Sequence, residues 1–218
     1  MSGLAFGVLA LLAGGAHAAP ILDQSQENTA GVSMGICTAG NCHFEYAQVF
    51  TVGIAGDLTN FDIFLDQGAP AVDVLWDIRP TVLGVPVADN ASTLASGTIL
   101  GSSLDPLGSF YSVLLASPFA VTVGDVLALS FHASPEVTTT FVNEIRGTAT
   151  NPYPGGAIYR RGTATGPWSL QSGGSLDAGF RTYVQVVPEP ATSSLVGLGL
   201  LCMAFARKRR GGLALPAN

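Results

Sequence analysis

The sequence predicts an all-β fold, an antiparallel β-sandwich of jelly-roll type, with an apolar helical segment at each end of the chain. Three observations carry this. Apolar residues in the middle of the chain recur with period two, the signature of half-buried strands. Clusters of Gly, Pro, Asn and Ser interrupt the pattern about every ten residues. No stretch between Gln24 and Val186 sustains an amphipathic helix. Many short strands over about 165 residues, rich in Gly and Pro, argue for two packed sheets, and a jelly roll is the form expected.

From the N-terminus, Leu4 to Ala13 is a short apolar run, and Ala16-His17-Ala18 is a small-x-small cleavage site. Residues 1–18 therefore read as a secretory signal peptide with Ala19 as the mature start. The run is shorter than the ~20 residues a membrane span needs. No Lys or Arg precedes it, so an uncleaved anchor is the competing reading; a misplaced start codon would account for the missing charge.

Cys37 and Cys42 enclose four residues. In an exported chain such a pair reads as a small disulfide clamp, stabilising by less than the ~3 kcal/mol of a 15-residue loop. Zinc is the alternative, with His43 adjacent, but no second ligand pair is spaced for it. The strands follow. Phe44, Tyr46, Phe50 and Val52 form one stripe, and Phe61, Ile63 and Leu65 alternate with Asn60, Asp62 and Asp66. Val72, Val74, Trp76 and Ile78 face opposite to Asp73, Asp77 and Arg79. Phe119 to Val123, Gly124-Asp125, then Val126 to Phe131 reads as strand, tight turn, strand. Phe180, Thr182 and Val184 mark a last strand running toward the C-terminal segment.

Between Ala19 and Val187 there are fourteen Asp or Glu, five Arg and no Lys, a net charge near −9. That balance excludes a basic nucleic-acid footprint and reads as a solvated acidic surface. The stretch from Asn151 to Trp168 offers Tyr153, Tyr159, Arg160, Arg161 and Trp168 among Gly and Pro. Aromatic rings beside polar groups in loops suit stacking on sugar faces, so Tyr153, Tyr159, Arg160 and Trp168 are the candidate carbohydrate-binding residues, with Trp168→Ala as the discriminating variant. The competing reading has Tyr159 and Trp168 capping the core. No catalytic residues are assigned. His132 has Ser130 and Ser134 near it but no Gly-x-Ser-x-Gly elbow, and Glu136 and Glu144 form an acid pair only if strands bring them together. No metal site or cofactor is expected; Asp177 could join a structural calcium site, but such a site needs six to eight oxygens and one Asp does not make it. Asn90-Ala91-Ser92 fits a glycosylation sequon by chance.

The C-terminal segment, residues 187–212, is the most specific part. Val187-Pro188-Glu189-Pro190 is followed by the apolar run Ala191 to Ala206, then Arg207-Lys208-Arg209-Arg210. The prolines fix φ and remove donors, so this peptide stays extended, as a processing enzyme's cleft requires. The sixteen apolar residues span about 24 Å as a helix, short against a hydrocarbon core of about 30 Å. The basic cluster holds the C-terminus on the cytoplasmic side. Residues 213–218 are a short extension.

This segment resembles the PEP-CTERM sorting signal, through the Pro-Glu-Pro triplet, the following Ala-Thr, the helix with Gly197 and Gly199, and the Arg-rich cluster. The resemblance implies recognition by an exosortase, a membrane cysteine protease-transpeptidase, in Gram-negative bacteria that make exopolysaccharide and often biofilm. A permanent stop-transfer anchor would share the helix and charges without needing Pro188-Glu189-Pro190. The strand-dense domain, residues 19–186, also resembles β-sandwich domains found upstream of such tails, in Phe50-Thr51-Val52-Gly53, Leu94-Ala95-Ser96-Gly97, Val121 to Leu129, and Phe180 to Val184. The expectation is a non-enzymatic exported protein, tethered transiently to the inner membrane with its domain in the periplasm, then released to the cell surface or matrix. Its role would be structural or adhesive in an exopolysaccharide layer; a carbohydrate-binding module is the alternative.

Overall fold

The computed structural model describes residues 19–37, 44–68, 72–133, 143–150, 152–162, 165–187 and Gly199. The chain divides into two compact units, Met1–Val186 and Val187–Asn218, and every described strand belongs to the first. In chain order the strands are β1 (Ile21–Gln26), β2 (Val32–Ile36), β3 (Glu45–Thr51), β4 (Gly56–Asp66), β5 (Val74–Val82), β6 (Val85–Pro86) and β7 (Ala95–Ile99). There follow β8 (Ser109–Val121), β9 (Val126–Ala133), β10 (Asn143–Thr148), β11 (Ile158–Arg161), β12 (Ser169–Leu170), β13 (Asp177–Ala178) and β14 (Phe180–Gln185). Among the described residues no helix is long and apolar enough to cross a membrane. The signal segment and, apart from Gly199, the apolar run 191–206 lie outside them.

The strands form two antiparallel sheets, as the period-two pattern predicts. In the first, β10 pairs with β2 on one side and β4 on the other, and β4 pairs with β8. Beyond β10, β14 takes its place beside β4, and β1 lines the far side of β14. In the second, β3, β9, β5 and β7 are successive neighbours, with β11 and β12 added beside β3. The sheets meet through aromatic side chains. Phe61 on β4 stands edge-on to Trp76 on β5 at 5.0 Å and to Phe131 on β9 at 6.1 Å, and Phe50 meets Phe180 at 6.2 Å. Apolar residues of both inner faces, including Ile63, Leu65, Val74, Ile78, Leu129 and Val184, complete one core.

Two local expectations are refined. The Gly124-Asp125 turn joins two strands, but β8 and β9 lie in different sheets, so it crosses between layers rather than closing a hairpin. Gly124 takes φ +93° there, and its N–H donates to Val52 O at 2.8 Å. The polar side of β5 also does not face water: Asp77 and Arg79 point away from the core yet are 7% and 1% exposed. That outer surface carries a second apolar cluster, in which Trp168 packs over Ala47 and Val49 of β3 and Ala128 of β9.

Candidate functional site

The outer face of the second sheet carries a buried ionic layer. Arg79 donates through Nε to Asp77 Oδ1 at 2.6 Å and through Nη2 to Oδ2 at 2.5 Å. Arg161 donates through Nε to Glu45 Oε2 at 2.5 Å. The spare donors reach backbone: Arg79 Nη1 to Val87 O at 2.9 Å and Arg161 Nη1 to Ala88 O at 3.1 Å. Asn90 Oδ1 accepts from both guanidinium groups at 3.4 Å, which ties the β6–β7 connection down over the sheet. The Trp168 ring closes the layer, with the guanidinium carbons of Arg161 and Arg79 at 4.6 and 5.6 Å from it. Each buried cation thus has a carboxylate and backbone acceptors, the condition for tolerating a charge inside a protein. His132 lies on the same face; burial pushes its pKa down, opposed by Glu45 and Asp77.

A second polar centre lies on the outer face of the first sheet. Asp62 accepts from Ser112 Oγ at 2.5 Å, Tyr183 Oη at 2.8 Å and Arg181 Nη1 at 3.4 Å, while Arg181 Nε donates to Glu27 at 2.8 Å. Arg146 pairs with Asp66 and, at 3.4 Å, with Glu144. Arg160 lies 4.5 Å above the Phe44 ring. All five arginines of the domain are therefore held by a carboxylate or an aromatic ring.

The loop residues singled out from sequence do not converge. Tyr153 enters the core between the sheets, edge-on to Phe180 at 5.1 Å, and its hydroxyl donates to Gln24 Oε1 and accepts from Thr51 N–H. Arg160 points to the opposite side of β11 from Tyr159. Trp168 and Tyr159 share the outer face of the second sheet, but Trp168 is only 8% exposed, so Trp168→Ala would disturb packing before it reported on a ligand. Tyr159 is half-exposed and, with Val49 and Val126, lines an open groove of about 260 Å³. Gly156 also lines it, and any side chain there would strike the Val49 carbonyl.

Asp177 is fully buried and already engaged, accepting from Gln48 Nε2 at 3.2 Å and Tyr153 N–H at 3.3 Å; burial raises its pKa. Among the described residues no three His, Cys, Asp or Glu side chains are grouped to hold a metal ion. Cys37 is disulfide-bonded and bridges backbone to backbone with Phe44, while its expected partner Cys42, like His43, lies outside the described residues. So does Glu136; Glu144 sits on β10 in the first sheet, away from His132 in the second. Sequence reasoning missed the Asp62 and Arg79 centres. The only signal was three charged residues at alternate strand positions, which a solvated face would show equally.

The last strand delivers the C-terminal segment. β14 ends at Gln185, and Val186 and Val187 follow, both exposed. Pro188, Glu189, Pro190 and Arg207 to Arg210 lie outside the described residues. Residues 186–210 match the PEP-CTERM protein-sorting motif, which marks this as an exported protein that passes through a membrane. No curated protein matches the chain.

Proposed function

We propose that the chain is a non-enzymatic envelope or matrix protein, a jelly-roll domain delivered by its C-terminal segment and processed there by an exosortase. The observation that carries this is the sorting motif at 186–210, which begins directly after the last strand of the domain. In this reading residues 1–18 act as a signal peptide and residues 191–206 hold the protein transiently in the inner membrane. Release then places the domain at the cell surface, in a structural or adhesive role within an exopolysaccharide layer. The jelly-roll assignment is supported by the order β2-β10-β4-β8 facing β3-β9-β5-β7, in which successive strands repeatedly change sheets. A non-enzymatic role is supported by the engagement of the domain's arginines and most buried carboxylates in internal pairs. The test is substitution of both Pro188 and Pro190 by Ala in an exosortase-positive host. The variant should accumulate as an unprocessed membrane form, read by mass and fractionation; unchanged processing would sink the sorting reading.

A carbohydrate-binding module is the second reading, favoured by the groove beside Tyr159. The half-exposed ring offers an apolar face to a sugar, in a cavity just below the range of about 300–1,000 Å³ usual for ligand pockets. On a glycan array, binding by the processed protein that is lost in Tyr159→Ala without loss of stability supports the module. A blank array supports the structural role.

A further inference from the structure

The strand registers gather several chain segments at one end of the sandwich. β14 ends there, with Gln185 opposite Asp57 at the start of β4. Val121 at the end of β8 pairs with Gly56, and the turn that follows is held by Gly124 N–H to Val52 O and Val52 N–H to Asp125 O, both 2.8 Å. Thr81 near the end of β5 reaches Val126 O at 2.9 Å, so the β5–β6 hairpin tip sits at the same end. Ile21 at the start of β1 is opposite Val184, and Asp23 accepts from Gly53 N–H at 2.9 Å.

This rim is apolar. Among the described residues thirteen large hydrophobic side chains are exposed, and seven of them lie here. Ile21, Leu22 and Val186 come from the two chain ends of the domain. Val82, Leu83, Val85 and Val123 come from the two turns, with Leu83 99% and Val123 66% exposed. Such a concentration marks an interaction surface rather than scattered surface apolar residues. The rim's charges are Asp23, Asp57 and Asp125, with no arginine or lysine among its described residues, so a polyanionic partner does not fit.

We propose that this rim rests in the interfacial layer of the membrane while the protein is tethered, an inference that rests on the tethering read above. The chain itself names the occupant. Only residues 188–190 separate Val187 from the apolar run that begins at Ala191. Three residues reach about 10 Å at most, so an inserted run holds the rim near the lipid headgroups. The tether supplies a high effective concentration, and weak apolar contact then suffices. The contact orients the domain, keeps Pro188-Glu189-Pro190 at membrane level, and disappears once processing frees the chain to leave.

The test uses the full chain in phosphatidylcholine vesicles with plain or brominated acyl chains. Tryptophan is placed at the rim by Val123→Trp or at the opposite end by Leu107→Trp, whose parent residue is 91% exposed; the native Trp76 and Trp168 are buried. Val123→Trp should lose most of its added emission to brominated lipid, Leu107→Trp none. Adding Val82→Asp and Leu83→Asp should abolish the loss. Equal quenching at both ends, or none at residue 123, overturns the proposal. So does shielding of residue 123 from aqueous acrylamide without bromine quenching, since a protein surface then covers the rim. A chain that fails to sediment with vesicles overturns the tether as well; one that sediments without rim quenching overturns only the rim contact.

Discussion

Arg161 and Glu45 are each 2% exposed in their side chains, and Arg79 and Asp77 nearly as buried, so these pairs are held where charge is expensive unless matched. Glu45→Gln should therefore destabilise the domain by about 3–5 kcal/mol, because the Arg161 guanidinium keeps only neutral acceptors among the described residues. Combining Glu45→Leu with Arg161→Met should recover much of that loss, since paired removal leaves no uncompensated charge. Urea unfolding of single and double variants measures the coupling. Equal losses in Glu45→Gln and the double variant would mean that packing on Trp168, not charge, dominates. The alternation of Asp77 and Arg79 with Trp76 and Ile78 did report their face correctly. It was silent on the cover over that face, because Trp168 arrives from a segment far along the chain and Asn90 only after the β5–β6 hairpin has turned back. Trp168 shows the converse: an aromatic in a Gly-rich loop has the composition of a binding residue, and only the tertiary position of two guanidinium groups makes it a lid.

At the scale of elements, the turns were legible as turns, but not in what they connect. Gly124-Asp125 has the chemistry of a reversal, and the chain does reverse there. Which sheet receives the next strand depends on the pairing of β8 with β4 and of β9 with β3 and β5, contacts that no local pattern encodes. The β5–β6 hairpin is tighter, turning through Leu83 at φ +53° and Gly84 at φ +78°. A left-handed conformation costs an ordinary L-residue roughly 1–2 kcal/mol, and Asn much less. Leu83→Asn should raise stability by about 1 kcal/mol, seen as a higher urea midpoint at unchanged slope, whereas Gly124→Ala should lower it by about as much. A leucine kept fully exposed in a strained position is consistent with a demand on that side chain outside the fold. If Leu83→Asn brings no gain, the strain at the hairpin is relieved in a way the backbone angle does not reveal.

At the scale of the whole molecule, the decisive placement is that of the final strand. β14 is inserted between β1 and β4, and Phe180, Thr182 and Val184 have no exposed surface at all. The ladder between β1 and β14 joins the two ends of the domain, pairing Ile21 with Val184. Contacts so distant in sequence form late and slowly, so the first sheet cannot close until residues 180–185 are available. Those residues directly precede the sorting motif. A chain shortened to end at Val187, close to the processed form, should keep the melting temperature of the full protein, because nothing described in the sandwich is removed. One ending at Gly179 loses both ladders of β14 and its buried side chains. Replacing one buried Phe by Ala alone costs about 3–5 kcal/mol, against a total stability of about 5–15 kcal/mol for an ordinary domain, so this chain should not fold cooperatively in a thermal melt. A cooperative transition in the shorter chain would mean that the sandwich closes without its last strand, and that completion of the fold is uncoupled from delivery of the tail. Loss of the transition in that chain alone would place the motif immediately beyond the last element the fold requires, where cutting frees the domain without opening it.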